Sequence, residues 1–245
     1  MKDNISNQKG KQTLRYFVID GETCETPRDE KGQLDVNNGQ VYNLGGQVIE
    51  DDGSVLKEVS FINYDVFFGM PQSMQEAYYA DKIPQYRQEM KDRKHKIVNT
   101  WQMRREFYNI CKDFNVDYVV AHNARFDILT LNATLRYQTK SKRRYFLPYG
   151  MKVLDTMKLA QDFISTDPDY ISFCIENGYM TNTKKPRPRL TAEVLWRYLS
   201  KNNEFIEEHT GLEDVKIEKE ILLECLRRGA LVAPLTPQKR TSKTN

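Results

Sequence analysis

The chain opens its ordered pattern with a nearly unbroken apolar run. Leu14-Arg15-Tyr16-Phe17-Val18-Ile19-Asp20 predicts a strand over Leu14 to Asp20, buried on both faces as central strands are. Two further apolar stretches, Val41 to Ile49 and Val55 to Asn63, flank Asp51-Asp52-Gly53, and Asp-Gly between apolar runs predicts a hairpin. The period then changes. From Thr100 to Phe114 the apolar positions Trp101, Phe107, Ile110, Cys111 and Phe114 have helical spacing, with Thr100 as the expected N-cap. Tyr118 to Ala121 reads as a short buried strand. Ala124 to Tyr137 reads as a helix with Ile128, Leu131 and Leu135 on one side. Met151 to Leu154 repeats the strand signal, and a helix is expected from about Thr156. Helices are also expected over Thr191 to Leu199 and Thr210 to Arg228, the second stopped by Gly229.

Three stretches break the pattern. Cys24 to Gln40 is polar with glycines and a proline, and Asn177 to Arg189 is rich in Gly, Lys and Pro; both are expected as loops. Val66 to Lys96 is aromatic and charged, and is expected to hold short helices and a mobile flap. A hairpin-fed sheet followed by alternating strands and helices predicts an α/β fold, a mixed central sheet flanked by helices in three layers. The expected bounds are a flexible lead over 1–13, one domain over 14–229 and a basic flexible tail over 230–245.

Composition narrows the class without naming a chemistry. The 245 residues are 39% hydrophobic and 29% charged, which suits a water-facing domain with a core. The longest apolar runs fall well short of the ~20 residues a membrane-spanning helix requires, so no membrane association is expected. Cysteines at 24, 111, 174 and 225 form no Cys-x-x-Cys pair, which argues against a zinc site. Cys111 and Cys225 lie in apolar helical patterns as core thiols. With a polar N-terminus and no signal-peptide pattern, a cytoplasmic location is expected. The net charge of +3 is too small to imply a polyanionic partner. Its distribution is more telling: basic residues gather at Arg87 to Lys96, Lys140 to Arg144, Lys184 to Arg189 and Lys239 to Lys243. Each also fits plain solvated surface.

The candidate chemistry lies in acidic residues at the ends of predicted elements. Asp20 and Glu22 are two apart on an extended strand, so their side chains share a face. A polar strand end is the alternative. Asp127 follows His122-Asn123-Ala124-Arg125-Phe126 across a strand-to-helix turn, where Asn123 is expected to cap the helix while Asp127 favours its N-terminal dipole or acts as a ligand. Phe126 is expected to pack beneath, and His122 reads as structural. Asp155 reads as the cap of the next helix. His209 and Asp214, five apart, would diverge by about 140° on one helix. Thr210 and Glu213 match a capping box, which puts His209 in the preceding loop, free to converge with Asp214; an exposed histidine before an ordinary acidic helix start is the alternative. Carboxylates are the ligands Mg²⁺ and Mn²⁺ prefer, and a nearby imidazole can take a proton from water near neutral pH.

In this order the segments resemble the DnaQ-like, or DEDDh, 3′–5′ exonuclease superfamily, which includes the proofreading subunit of bacterial replicative polymerase, RNase T and oligoribonuclease. Asp20, Glu22 and Thr23 match Asp-x-Glu-Thr. Asn123, Phe126 and Asp127 match Asn-x-x-Phe-Asp. His209 and Asp214 match His-x-Ala-x-x-Asp, with Gly211 for the alanine, a change that removes only a methyl group. The resemblance covers roughly Leu14 to Gly229 and implies an RNase H-like exonuclease fold. It implies that Asp20, Glu22, Asp127 and Asp214 bind two Mg²⁺ or Mn²⁺ ions, that His209 is the general base, and that Thr23, Asn123 and Phe126 contact substrate. Nucleoside 5′-monophosphates would leave from a 3′ end.

Single-stranded or frayed DNA is the expected substrate, RNA trimming the alternative. Tyr78, Tyr79, Tyr86, Tyr145, Phe146 and Tyr149, close to basic residues, are candidate stacking platforms or core fillers. A catalytically silent nucleic-acid-binding adaptor is the reading from another class, and retention of all five site residues weighs against it. The short stretch after Gly229 leads to the expectation of a stand-alone nuclease, with any polymerase partner undetermined. Gln33-Leu34-Asp35-Val36 faintly resembles a sliding-clamp peptide without its closing aromatic.

Overall fold

The computed structural model describes residues 13–24 and 39–230. The clamp-like peptide, most of the 24–40 loop, the lead before residue 13 and the basic tail beyond 230 lie outside the described residues. Six strands form one mixed sheet: β1 (Arg15–Cys24), β2 (Gln40–Glu50), β3 (Val55–Asn63), β4 (Lys96–Val98), β5 (Tyr118–Ala121) and β6 (Lys152–Asp155), in the order β4-β3-β2-β1-β5-β6. The hairpin expectation holds, with β2 antiparallel to both β1 and β3, while β4, β5 and β6 join in parallel.

Helices fill the connections: α1 (Tyr64–Phe67), α2 (Pro71–Gln75), α3 (Ile83–Lys91), α4 (Thr100–Asp113), α5 (Ala124–Thr139), α6 (Thr156–Phe163), α7 (Pro168–Glu176), α8 (Ala192–Ser200) and α9 (Gly211–Arg227). A 3₁₀ turn spans Ala80–Lys82. No helix among the described residues is long and apolar enough to cross a membrane.

The alternation of β1 divides the core. Phe17 and Ile19 point to one face, where Met103 and Phe107 of α4 and Leu131 and Leu135 of α5 cover them. Tyr16 and Val18 point to the other, against Val215 and Leu222 of α9. Asp20 and Glu22 continue this second stripe, so the carboxylates emerge on the face that α9 covers. Behind α9, a further apolar cluster gathers α6, α7 and α8 around Ile164, Tyr170, Leu195 and Ile221. The 66–96 stretch does hold short helices, and it has a small core of its own: Val66, Phe67, Met74 and Tyr86 pack on Tyr42 of β2 and Ile62 of β3.

The departures from expectation are local. Strand β1 does not stop at Asp20 but runs to Cys24, because β2 pairs with it throughout; Asp20 faces Gly45 and Glu22 faces Asn43, with a register shift after Glu22. Helix α4 is capped by Asn99, not Thr100: Asn99 and Gln102 form a reciprocal capping box, while the Thr100 hydroxyl donates to Asn63. The Asn123 side chain does not cap α5; the residue is left-handed at φ 62°. Thr210 is the N-cap of α9 but makes no side-chain cap bond; Asn43 Oδ1 accepts from the Gly211 amide at 3.1 Å, and Glu213 pairs with Lys216 rather than closing a capping box. The helix from Thr156 ends at Phe163, and Asp167 and Pro168 start another.

Candidate active site

One cleft of about 460 Å³ is lined by Asp20, Glu22 and Thr23 of β1, Phe126 of α5, Glu207 and His209 of the α8–α9 loop, and Asp214 of α9. Tyr78 and Tyr79, from the 66–96 stretch, form a further wall. Oxygens of Asp20, Glu22 and Asp214 approach within 4.8 Å of one another, close enough to share a cation. Asp127 is buried just beneath, in the first turn of α5, and its carboxylate accepts from the backbone of Gly21. Three stretches distant in sequence therefore supply the cluster.

The close approach of α9 to the sheet makes this convergence possible. Gly211 packs against Gly45 of β2, and a methyl at Gly211 would meet Asn43 Oδ1, the Asp20 carbonyl and the Gly45 nitrogen at 2.9 Å each. The glycine in place of the motif's alanine is thus not a neutral loss of a methyl; this interface has no room for one. Asn43, paired across from Glu22, holds the junction together: its Oδ1 also accepts from the Tyr86 hydroxyl at 3.1 Å, and its amide donates to Ser60 and the Phe61 carbonyl.

Electrostatically the cluster is costly as it stands. Burial, reinforced by mutual repulsion, pushes the carboxyl groups of Glu22 and Asp127 well above their ordinary range and that of Asp214 up to about 9. Burial alone takes Asp20 to about 7. Buried oxygens Asp127 Oδ1 and Asp214 Oδ1 have no hydrogen-bond partner. Such groups need either protons or cations. Hard divalent cations take such oxygens as ligands, so the donor set of Asp20, Glu22 and Asp214 fits one. His209 sits in the loop as expected, left-handed at φ 53°. Burial lowers its pKa, which keeps the imidazole neutral and able to accept a proton.

Two carboxylates of the cluster escape the motif reading. Glu207 lines the cleft, and burial followed by repulsion from Asp20 raises it to about 7. Glu218, one helical turn beyond Asp214, is buried; it faces Asp20, Asp127 and Asp214 and accepts from the His122 amide at 3.1 Å. A signal for Glu218 exists in the sequence, since an acid at i+4 from Asp214 falls on the buried stripe of Ile221, Leu222 and Cys225.

The remaining expected residues divide between surface and core. Asn123 is exposed and does not line the cleft; its backbone N–H donates to Asp155 Oδ1 at 3.1 Å. Asp155 caps α6 as expected. His122 is structural: its Nε2 lies 2.6 Å from the Leu190 carbonyl and its Nδ1 2.9 Å from the Thr156 hydroxyl. Tyr86 and Phe146 are fully buried and are core residues, not stacking platforms, whereas Tyr78 is 76% exposed.

No protein-family model matches the chain, and no curated protein matches it by sequence. Solved structures do match. The nuclease domain of 3′hExo, a DEDDh family member bound to rAMP, aligns with a TM-score of 0.60 at 12% identity, over 91% of this chain and 97% of that one. A 3′-exonuclease recognising the histone mRNA stem-loop aligns at 0.58 and 12% identity, over 88% and 82%. E. coli Exonuclease I in complex with a dA16 oligonucleotide aligns at 0.51 and 15% identity, over 88% of this chain and 41% of that one. In the order of its strands and the layering of its helices, this chain has the fold of the DEDDh 3′–5′ exonucleases.

Proposed function

We propose that residues 14–229 form a metal-dependent 3′–5′ exonuclease that hydrolyses the terminal phosphodiester of single-stranded or frayed DNA and releases nucleoside 5′-monophosphates. The observation that carries the reading is the meeting of Asp20, Glu22 and Asp214 over buried Asp127, with two partnerless carboxylate oxygens, inside this fold.

Asp20, Glu22, Asp127 and Asp214 would hold two Mg²⁺ or Mn²⁺ ions. When bound, such ions would acidify an attacking water and offset the charge on a scissile phosphate. His209, neutral and on the cleft wall, accepts the proton of that water. Thr23 and Phe126 face the cleft where the terminal nucleotide would lie, one offering a hydroxyl and the other a ring face. Asn123, exposed at the start of α5, would reach the substrate only outside the cleft. Away from the cleft, the guanidinium groups of Arg104 and Arg144 both lie over the Trp101 ring and that of Arg136 lies over Tyr145, a basic and aromatic surface suited to a sugar-phosphate strand. Buried Cys111, Cys174 and Cys225 form no disulfide, which suits a reducing compartment and supports a cytoplasmic setting.

RNA is the second reading, favoured by a specific observation: the two neighbours with TM-scores of 0.60 and 0.58 are described with rAMP and with a histone mRNA stem-loop. Digestion of 5′-labelled DNA and RNA strands of one sequence with Mn²⁺, against an EDTA control, tests both. Stepwise shortening from the 3′ end, abolished by EDTA and by Asp20→Asn, is expected. Binding without shortening of either strand would leave an adaptor on the same fold and overturn the proposal.

A further inference from the structure

The 66–96 stretch supplies more than a wall. Its Tyr79 ring lies flat on the His209 imidazole, with centroids 4.1 Å apart and planes 14° from parallel. We infer that Tyr79 is a positioning residue: it clamps the imidazole of His209 in one orientation at the cleft, so that the base is set before substrate arrives. The inference rests on the exonuclease reading for the role of His209, though the clamp itself is a property of the fold.

His209 needs such a support. It belongs to a loop rather than a helix, and its backbone is left-handed. Its amide is tied to the Asp214 carboxylate, but this leaves the side-chain torsions unset. The Glu207 carboxylate stands 3.9 Å from Nδ1, beyond hydrogen-bond reach, and so does not fix the ring plane. The tyrosine face does.

Tyr79 is itself held. Tyr78 packs edge-on against it at 4.8 Å, and Met74 and Ala77, just before it in sequence, anchor the segment in the small core shared with Tyr42 and Tyr86. The chain from β3 to α4 thus brings an aromatic face to the mouth of the site. A base carried by a loop and oriented by a packed neighbour is preorganised without a hydrogen bond.

The chain has three histidines, His95, His122 and His209, so each imidazole can be followed by NMR on histidine-labelled full-length protein. His95 sits in the same stretch, bonded to Ser60 and Glu89, and reports whether that stretch stays folded. The expected result is a nuclear Overhauser contact between the Tyr79 and His209 rings and an upfield-shifted His209 signal. The shift should persist in Tyr79→Phe and disappear in Tyr79→Leu while His95 is unmoved. Tyr79→Met replaces the leucine variant if His95 does move. Aromatic pairs contribute enough that kcat should fall about 3- to 10-fold in Tyr79→Leu, with KM within about twofold, and recover in Tyr79→Phe.

A His209 signal unchanged in Tyr79→Leu overturns the clamp. A raised KM at unchanged kcat overturns it in favour of a substrate-stacking platform, and a raised kcat overturns it in favour of a restraint on the base. If wild-type protein cleaves no nucleic acid yet the ring contact stands, the exonuclease reading has failed and the clamp has not.

Discussion

At the residue scale, the cluster is held by groups that are uncomfortable without cations. Asp214→Asn removes one orphaned carboxylate and should lower hydrolysis by at least about 100-fold, since preorganised charges aimed at the reacting group usually accelerate a reaction more than any other single effect; steady-state digestion rates check this. Glu218 was not visible as a motif member, yet it lies among the same carboxylates. Glu218→Gln keeps its shape and its bond from the His122 amide, so metal affinity should change while the fold is retained. His122 supplies a pH prediction. Burial lowers its pKa despite the opposing Leu190 carbonyl, so the unfolded chain takes up a proton before the folded one does. Its contribution is complete above the ordinary histidine value near 6.5 and is lost as pH falls below it. The melting temperature of His122→Gln relative to wild type should therefore rise between pH 7.5 and 5.5.

At the scale of elements, the meeting of α9 with β2 decides whether the site exists. A methyl at Gly45 would collide with the Gly211 carbonyl group, and neither backbone can yield without moving the first turn of α9. Gly45→Ala should cost about 1–3 kcal/mol and displace Asp214 from Asp20 and Glu22, seen as lower denaturant midpoints together with weaker metal binding. The sequence pattern made five of the six strands and the hairpin legible, because alternation and the Asp51-Asp52-Gly53 turn are local signals; β4, three residues long, is too short to show a period. It also made the loop position of His209 legible, through the helix start at Thr210. What it hid was long-range: Asn43, far away in sequence, binds the Gly211 amide at the start of α9, and β2 carries β1 past its apolar run to Cys24. The cap of α4 was missed by one residue because Asn99 and Thr100 are both good caps, and Thr100 is needed by Asn63. The plate under His209 was hidden for the same reason: nothing near Tyr79 in sequence announces a partner 130 residues away.

At the scale of the whole molecule, sheet, helices and insert converge on one acidic cleft, while cation–aromatic pairs lie on another part of the surface. The two features should separate in kinetics. Arg104→Ala combined with Arg144→Ala should raise KM for long strands and flatten its salt dependence, leaving kcat unchanged, because phosphate contacts give affinity without touching the reacting bond. Dinucleotide substrates, which offer a single internucleotide phosphate, should be cleaved as by wild type. Cation binding should in turn stabilise the fold as a whole, by about 2.7 kcal/mol at a hundredfold excess over Kd.

The central claim is that side chains from β1, α5 and α9 together grip a pair of divalent ions. Calorimetric titration of the full chain with Mn²⁺ in the presence of a nucleoside 5′-monophosphate tests it directly. Two equivalents bound by wild type, and a loss of at least one in both Asp20→Asn and Asp214→Asn, is the expected result. Mn²⁺ uptake that is absent in wild type, or undiminished in either variant, contradicts it.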